Sequence, residues 1–126
     1  MLKINQLADY ALLILSQMNQ ESFLSSKELS EKTKLSLPTT NKILKILKKN
    51  QLCITKEGKF GGFALNFPLD QISLFDVVAA FDKKLQITKC NHNCSLEKHC
   101  QISDKMKKID QEIQTFLKNK YLNELL

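Results

Sequence analysis

Early in the chain runs Ser36-Leu-Pro-Thr-Thr-Asn-Lys-Ile-Leu-Lys-Ile-Leu-Lys-Lys49, which has a polar start, an apolar side and a basic side. Ser36 is suited to cap a helix and Pro38 to stand in its first turn, so we predict a helix that ends near Asn50. The apolar side chains recur at helical spacing and are expected to face inward. They are Ile43, Leu44, Ile46 and Leu47.

A shorter helix is predicted immediately before this one. The stretch Ser25-Ser-Lys-Glu28 has the pattern of a capping box and opens a helix near residues 26–33. A tight turn at residues 34–36 joins the two, while apolar spacing further upstream predicts a first helix near residues 5–19. Two short helices joined by a tight turn form a helix-turn-helix pattern.

In a helix-turn-helix, the second helix enters the DNA major groove and its first residues reach the base edges. Lysines on the outer face would contact phosphate as point charges. A charge run of this kind is also typical of a solvated helix face that binds nothing. The residues predicted to contact DNA are Ser36, Pro38, Thr39, Thr40, Asn41, Lys42, Lys45 and Lys49.

A β-hairpin is predicted directly after this helix. Residues 52–55 and 63–65 are typical of two strands, and the turn between them holds all three glycines of the chain. A hairpin that follows a helix-turn-helix is the order of a winged helix. We expect Lys56 and Lys59 to contact DNA from this wing, and Cys53 to be a small buried hydrophobe rather than a ligand.

The remaining apolar patterns predict two more helices. Ser73 and Asp76 form a second possible cap, opening a short helix through Phe81. After residue 101, apolar residues alternate spacings of four and three, which is typical of one long helix with a heptad-like seam. Such a helix either packs on its own domain or pairs with a second copy, and we expect a homodimer. The seam comprises Ile102, Met106, Ile109, Ile113 and Phe116, continued by Leu117, Leu122 and Leu125.

Composition limits the class of protein. The 126 residues fit one domain, and the net charge of +6 comes from 19 lysines with no arginine, which indicates an anionic partner. No signal peptide or run of about 20 apolar residues is present, so we expect a soluble cytoplasmic protein without a membrane partner. No nucleophile–base set, phosphate loop or carboxylate pair occurs, so neither an enzyme nor a small-molecule substrate is expected.

Three cysteines and two histidines cluster in Cys90-Asn-His-Asn-Cys94-Ser-Leu-Glu-Lys-His-Cys100. Thiolates at this spacing can bind zinc, completed by His92 or His99, or an iron–sulfur cluster with a weaker fourth ligand. Cys90 and Cys94 could instead form a disulfide as a metal-free thiol switch. A small thiol oxidoreductase is disfavoured because the chain has no C-x-x-C pair.

The sequence resembles the Rrf family of winged-helix regulators along essentially its whole length. The resemblance is carried by Leu7-Ala-Asp-Tyr-Ala-Leu12, by Gly58-Lys-Phe-Gly-Gly-Phe-Ala-Leu65, by residues 35–39, 45–47, 72–78 and 116–125, and above all by the three cysteines. It implies a homodimeric transcription factor that binds a two-fold operator in double-stranded DNA. It also implies a 2Fe–2S or 4Fe–4S cluster on Cys90, Cys94 and Cys100, and control of iron–sulfur assembly or redox and nitric-oxide stress genes.

The chain departs from the family pattern in three places, and the first of these leaves the fourth cluster ligand open. Ser103 replaces a histidine that IscR-type members place after the third cysteine, the first cysteine spacing is short, and Lys59 occupies a wing position often held by arginine. His99 and Asp9 of the partner subunit are level candidates, because NsrR-type members use an acidic residue there; His92 ranks third.

Together these observations predict a mainly α fold with a small hairpin wing, divided into three parts. Residues 1–82 form a winged helix-turn-helix DNA-binding domain, 83–101 a cluster-binding loop and 102–126 a dimerisation helix. We expect an iron–sulfur cluster-sensing regulator, most simply a repressor. The alternative is a zinc-stabilised or thiol-based regulator that binds DNA without such a cluster.

Overall fold

The computed structural model describes residues 5–82 and 102–125. The fold is mainly helical with one two-stranded antiparallel sheet, as predicted. The elements in chain order are α1 (Gln6–Ser16), α2 (Ser26–Thr33), α3 (Leu37–Lys49), β1 (Cys53–Lys56), β2 (Gly62–Leu65), a 3₁₀ helix (Leu69–Gln71), α4 (Leu74–Phe81), α5 (Ser103–Lys118) and α6 (Leu122–Leu125).

Serine caps set the start of the helices where the sequence predicts them. At α4, the Ser73 hydroxyl accepts the Asp76 N–H and the Asp76 carboxylate accepts the Ser73 N–H, both at 3.1 Å, which completes the capping box. At α2, the Ser25 hydroxyl accepts the Glu28 N–H at 3.1 Å, but it also donates to the Glu28 carboxylate at 3.2 Å. The α2 cap therefore forms with a hydroxyl–carboxylate contact in place of the reciprocal backbone bond.

Helix α1 is shorter than the sequence predicts, because a local turn competes with its last residues. The Asn19 side chain accepts the N–H groups of Glu21 and Ser22, at 3.0 and 2.7 Å. This turn redirects the chain after the helix ends at Ser16, although Met18 is still buried. An asparagine side chain that accepts nearby backbone N–H groups offers the chain an alternative to the helix.

The hairpin, which we call the wing (residues 53–65), is fixed on one side to the end of α3 and on the other to the segment before α2. Its strands pair from Cys53 with Leu65 to Lys56 with Gly62. On the α3 side, the Leu52 N–H donates to the Leu47 carbonyl at 3.0 Å. On the other side, Leu24 and Phe63 exchange two backbone hydrogen bonds, of 2.7 and 2.9 Å. The wing therefore holds a defined position beside α3.

One hydrophobic core joins the three N-terminal helices, the wing, α4 and α6. Of the α3 residues predicted to face inward, three are fully buried and Ile46 is partly buried. The largest fully buried apolar side chains are Ile14, Leu15, Leu29, Ile43, Leu44, Leu47, Ile72, Leu122 and Val77.

The C-terminal segment is not a single helix, which corrects the sequence-based expectation. Helix α5 ends at Lys118, where the Asn119 side-chain amide donates to the Thr115 carbonyl at 3.0 Å. The chain then returns to the core, and the Leu122 N–H donates to the Ile72 carbonyl at 2.9 Å. Leu122 therefore belongs to the core of the winged helix and not to a seam along α5.

We predict that Leu122→Ala destabilises the whole fold, whereas Leu125→Ala does not. Leu122 has 0% exposure and Leu125 has 51% in the same short helix, so the pair separates core packing from helix propensity. Truncating a fully buried leucine costs about 2–5 kcal/mol, which would lower Tm by roughly 10 °C or more in a domain of this size. Thermal unfolding at one fixed protein concentration measures both variants. Equal Tm values for the two would contradict the placement of Leu122.

Candidate nucleic-acid interface

The start of α3 is held in place by its own polar side chains. The Ser36 hydroxyl accepts the Thr39 N–H at 3.3 Å and donates to the Thr39 hydroxyl at 2.8 Å. Pro38 stands in the first turn and is exposed. Because these bonds fix the first turn, the exposed residues that follow it are presented from a rigid helix end.

Thr40 is the one predicted DNA-contacting residue that the structure places in the interior. It has no exposed surface, and its hydroxyl donates to the Ser36 carbonyl at 2.9 Å. Thr40 precedes Ile43 and Leu44 by three and four residues, so all three lie on the same inward face. Thr40 therefore packs the helix start against the core, and the prediction that it contacts DNA is wrong.

The opposite face of α3 is a row of exposed polar and basic side chains. Lys42, Lys45 and Lys49 follow one another at helical spacing, with Asn41 and Lys48 beside them, and all five are exposed. None of the 13 residues of α3 is acidic. A rigid helix with a basic outer face can neutralise DNA phosphates while its first turn approaches base edges.

Cys53 anchors the wing to α3 and has none of the properties of a ligand. Its side chain is 2% exposed, and the thiol lies 3.9 Å from the Leu44 carbonyl oxygen. Burial raises the pKa of the Cys53 thiol to about 11, although the nearby Lys48 lowers it. The thiol therefore stays protonated at neutral pH, as expected for a small buried hydrophobe.

The wing presents further lysines next to aromatic rings. The Lys56 amino group lies 5.8 Å from the centroid of the Phe23 ring, and the Lys59 amino group 5.7 Å from that of Phe60. Both lysines are exposed, as is Glu57 between them. Cation–π contacts of this length restrain a lysine without withdrawing its charge from solvent.

One exposed apolar residue at the start of α3 and another in the wing loop were not predicted from the sequence. Leu37, the first residue of α3, is 42% exposed, and Phe60 in the wing loop is 82% exposed. The signal for each is an apolar residue in an otherwise polar or glycine-rich stretch. Apolar side chains at such positions can contact thymine methyl groups or base faces.

The predicted cluster ligands Cys90, Cys94, Cys100, His92 and His99 lie outside the described residues. Within residues 5–82 and 102–125, no three potential metal ligands are grouped.

Asp9, the remaining candidate for the fourth ligand, is exposed on α1. One turn before it, the Asn5 side-chain amide donates to the Phe81 carbonyl at 3.4 Å. This bond places the start of α1 against the end of α4, from which the chain continues toward the cysteines. An exposed carboxylate at this position is accessible to a ligand.

A helix-turn-helix with an attached wing and a basic second helix defines a winged-helix DNA-binding protein. The sequence matches the Rrf2 family, described as an iron-dependent transcriptional regulator, over residues 4–126. The chain therefore belongs to the Rrf2 family and is a DNA-binding transcriptional regulator, which confirms the resemblance seen in the sequence. Within the described residues, no helix is both long and apolar enough to cross a bilayer.

Individual relatives agree with this assignment. The chain is 28% identical to the transcriptional regulator IscR of Vibrio cholerae over 118 residues, which is 92% of this chain and 68% of the relative. Among solved structures, CymR, the global cysteine regulator of B. subtilis, superposes with a TM-score of 0.76 at 20% identity, covering 99% of this chain and 96% of CymR. IscR of T. potens superposes with a TM-score of 0.70 at 23% identity, covering 98% of this chain and 85% of that IscR chain. These two likenesses support the winged-helix fold.

Proposed function

We propose that this regulator senses iron–sulfur cluster status and represses genes of iron–sulfur assembly or of redox and nitric-oxide stress. The observation that carries the proposal is the set of three cysteines within eleven residues, in a chain whose family is described as iron-dependent. Cysteines without a shared role are rarely spaced so closely by chance. A reducing compartment favours metal or redox chemistry over structural disulfides.

The donor set fits the group that the family implies. Cys90, Cys94 and Cys100 supply three soft thiolates, the preferred ligands of iron–sulfur clusters. The fourth ligand would be His99 or Asp9 of the partner subunit, with His92 third. An exposed Asp9 is consistent with a role toward a second copy. A bound 2Fe–2S or 4Fe–4S cluster would supply a centre whose charge and integrity respond to oxidants and iron supply.

DNA recognition would be carried by the described surface. Ser36, Pro38, Thr39 and Asn41 would approach bases from the first turns of α3. Phosphate contacts are assigned to lysines on α3 and the wing, because an ammonium group binds phosphate as a point charge. These are Lys42, Lys45, Lys49, Lys56 and Lys59.

A homodimer would align two such surfaces with a two-fold operator. An apolar stripe that the described residues leave exposed runs along α5 from its N-cap, formed by Ile102, Ile109 and Phe116 at intervals of seven residues. Their exposed fractions are 60%, 42% and 60%. Met106 and Ile113, beside the stripe, are half-buried. A heptad stripe with this exposure is typical of a helix that pairs with a second copy.

We predict that Phe116→Glu weakens the dimer, whereas Gln111→Glu does not. Both variants add one negative charge to an exposed position of α5, but only Phe116 lies on the apolar stripe. Placing a carboxylate in an apolar interface should raise the dimer dissociation constant at least about tenfold. Sedimentation equilibrium measures the constant. A Phe116→Glu protein that remains as dimeric as Gln111→Glu would contradict the assignment.

A zinc-stabilised or thiol-based regulator is the second candidate. It is favoured by Ser103, which replaces the histidine expected after the third cysteine, and by the fold shared with CymR, which is described as a cysteine regulator. In this case the three cysteines would hold zinc, or Cys90 and Cys94 would form a disulfide on oxidation.

The two candidates differ in what changes DNA affinity. A duplex enriched from a random pool by the wild-type protein is titrated with protein prepared without oxygen, with the same protein after chelation of iron, and with protein reloaded with zinc. If the cluster proposal is correct, removing iron changes the affinity for the duplex at least about tenfold, and adding zinc does not restore it. The reason is that a ligand shifts a conformational equilibrium only if it binds the two states with different affinity. Unchanged affinity after iron removal would contradict it.

A further inference from the structure

Phe60 is the most exposed large apolar side chain among residues 5–82 and 102–125, at 82%. A phenylalanine in this position gains almost nothing from the hydrophobic effect in the folded chain. It is also surrounded by charge, because Glu57 and Lys59 are exposed in the same loop. The ring is therefore available for a partner that can accept both an aromatic face and a neighbouring cation.

The loop geometry holds Phe60 at the tip of the wing, between the ends of β1 and β2. The Gly61 N–H donates to the Gly58 carbonyl at 3.1 Å, which closes a four-residue turn with Lys59 and Phe60 at its two central positions. Gly58 has φ of +107°, and a Cβ on Gly61 would overlap the Lys56 carbonyl. Both glycines are therefore required for a tight turn that keeps the ring away from the core.

The same loop and the adjacent strand supply positive charge. The Lys59 amino group lies 5.7 Å from the centroid of the Phe60 ring, and Lys56 is exposed at the end of β1. Since β1 follows α3 by way of a short turn, the wing continues from the basic helix. An aromatic wedge flanked by lysines matches the way proteins enter the DNA minor groove, where an apolar side chain separates two base pairs and cations neutralise the adjacent phosphates.

We propose that Phe60 inserts between base pairs of the bound duplex and bends it, with Lys59 released from the ring to a phosphate. The partner is double-stranded DNA, and the inference rests on the proposed DNA contacts of α3 and the wing. A flexible pyrimidine–purine step is the expected site of insertion, because such steps unstack most easily.

The chain contains no tryptophan, so Phe60→Trp introduces a single fluorescent reporter at the wing tip. Phe67→Trp is the matched control: Phe67 is 42% exposed and follows β2, at the opposite end of the hairpin. On titration with the enriched duplex, stacking against bases should quench Phe60→Trp fluorescence strongly and leave Phe67→Trp nearly unchanged. Equal responses of the two reporters would overturn the insertion.

Phe60→Ala tests the energetic consequence, with Phe67→Ala as control. Since aromatic stacking on a base is lost, affinity for the enriched duplex should fall roughly ten- to a hundredfold, and the bend measured by energy transfer between the duplex ends should disappear. If Phe60→Ala bound and bent the duplex as the wild-type protein does, the proposal would be overturned. Contact with a protein partner would then be the remaining role for the exposed ring. Wild-type protein that binds no duplex would instead overturn the proposed DNA contacts, and the insertion with them.

Discussion

Replacing Cys90 with alanine is expected to abolish cluster binding and, with it, the response of DNA affinity to cluster status. This segment offers three thiolates in all, and losing one leaves two cysteines that cannot hold an iron–sulfur cluster without new ligands. The visible colour of protein purified without oxygen should disappear. DNA affinity should become independent of iron, and far-ultraviolet circular dichroism should stay close to wild type because the substitution leaves the core residues of the described helices and wing unchanged.

Cys53→Ala is the matched control for this variant. Cys53 is also a cysteine, but its thiol is buried between β1 and α3 and stays protonated at neutral pH because burial raises its pKa to about 11. The control should keep full iron and sulfide content and lose only a small amount of stability. If Cys90→Ala retained iron-dependent DNA binding, the assignment of the three cysteines would be wrong.

The second large effect is expected for Lys45→Ala combined with Lys49→Ala. Each phosphate contact contributes about 0.9 to the slope of log affinity against log salt concentration, so removing four lysines from a dimer should lower the slope by roughly 3 to 4. Affinity near physiological salt should fall by roughly 10- to 100-fold, and equally for selected and random sequences, because phosphate contacts carry little sequence information.

The control for this variant removes the same charge from a different helix. Lys105→Ala combined with Lys108→Ala also lowers the formal net charge of +6 by two, from exposed positions of α5. Its salt slope should remain close to wild type. Fluorescence anisotropy over a range of salt concentrations gives both slopes. Equal slopes for the two double variants would show that overall charge, and not the exposed row on α3, determines binding.

The parts of the fold that depend on local chemistry could be predicted from the sequence. Ser36 and Ser73 cap helices through hydrogen bonds to residues three positions away, so a four-residue pattern suffices. The wing follows from alternating strand residues and from Gly58 and Gly61, whose turn requires small residues. These features need no information from distant parts of the chain.

Two errors had different physical origins. The burial of Thr40 can be inferred from spacing despite its polar side chain, because it lies three and four residues before the buried Ile43 and Leu44 and so shares their face. The burial of Leu122 could not be predicted from the sequence, because it depends on a backbone hydrogen bond to Ile72, fifty positions earlier. The sequence has no Gly or Pro near Lys118 that would have indicated the end of α5.

Some residues of the candidate site could likewise be predicted from the sequence, and others could not. The basic row on α3 is a helical pattern, so its exposed face could be inferred directly from spacing. Phe60 could not be singled out, because exposure of an aromatic side chain depends on the loop that carries it. The cluster ligands rest on thiolate chemistry and family membership, and the choice among His99, Asp9 and His92 requires an observation of the ligands themselves.

The most direct measurement is the visible absorption spectrum of protein purified without oxygen, with iron, sulfide and zinc assayed on the same sample. We expect charge-transfer bands from thiolate-bound iron together with matching amounts of iron and sulfide, since such centres absorb visible light and zinc does not. The band shape would distinguish 2Fe–2S from 4Fe–4S. A colourless protein holding one zinc ion per chain would contradict the iron–sulfur proposal and assign the three cysteines a structural role.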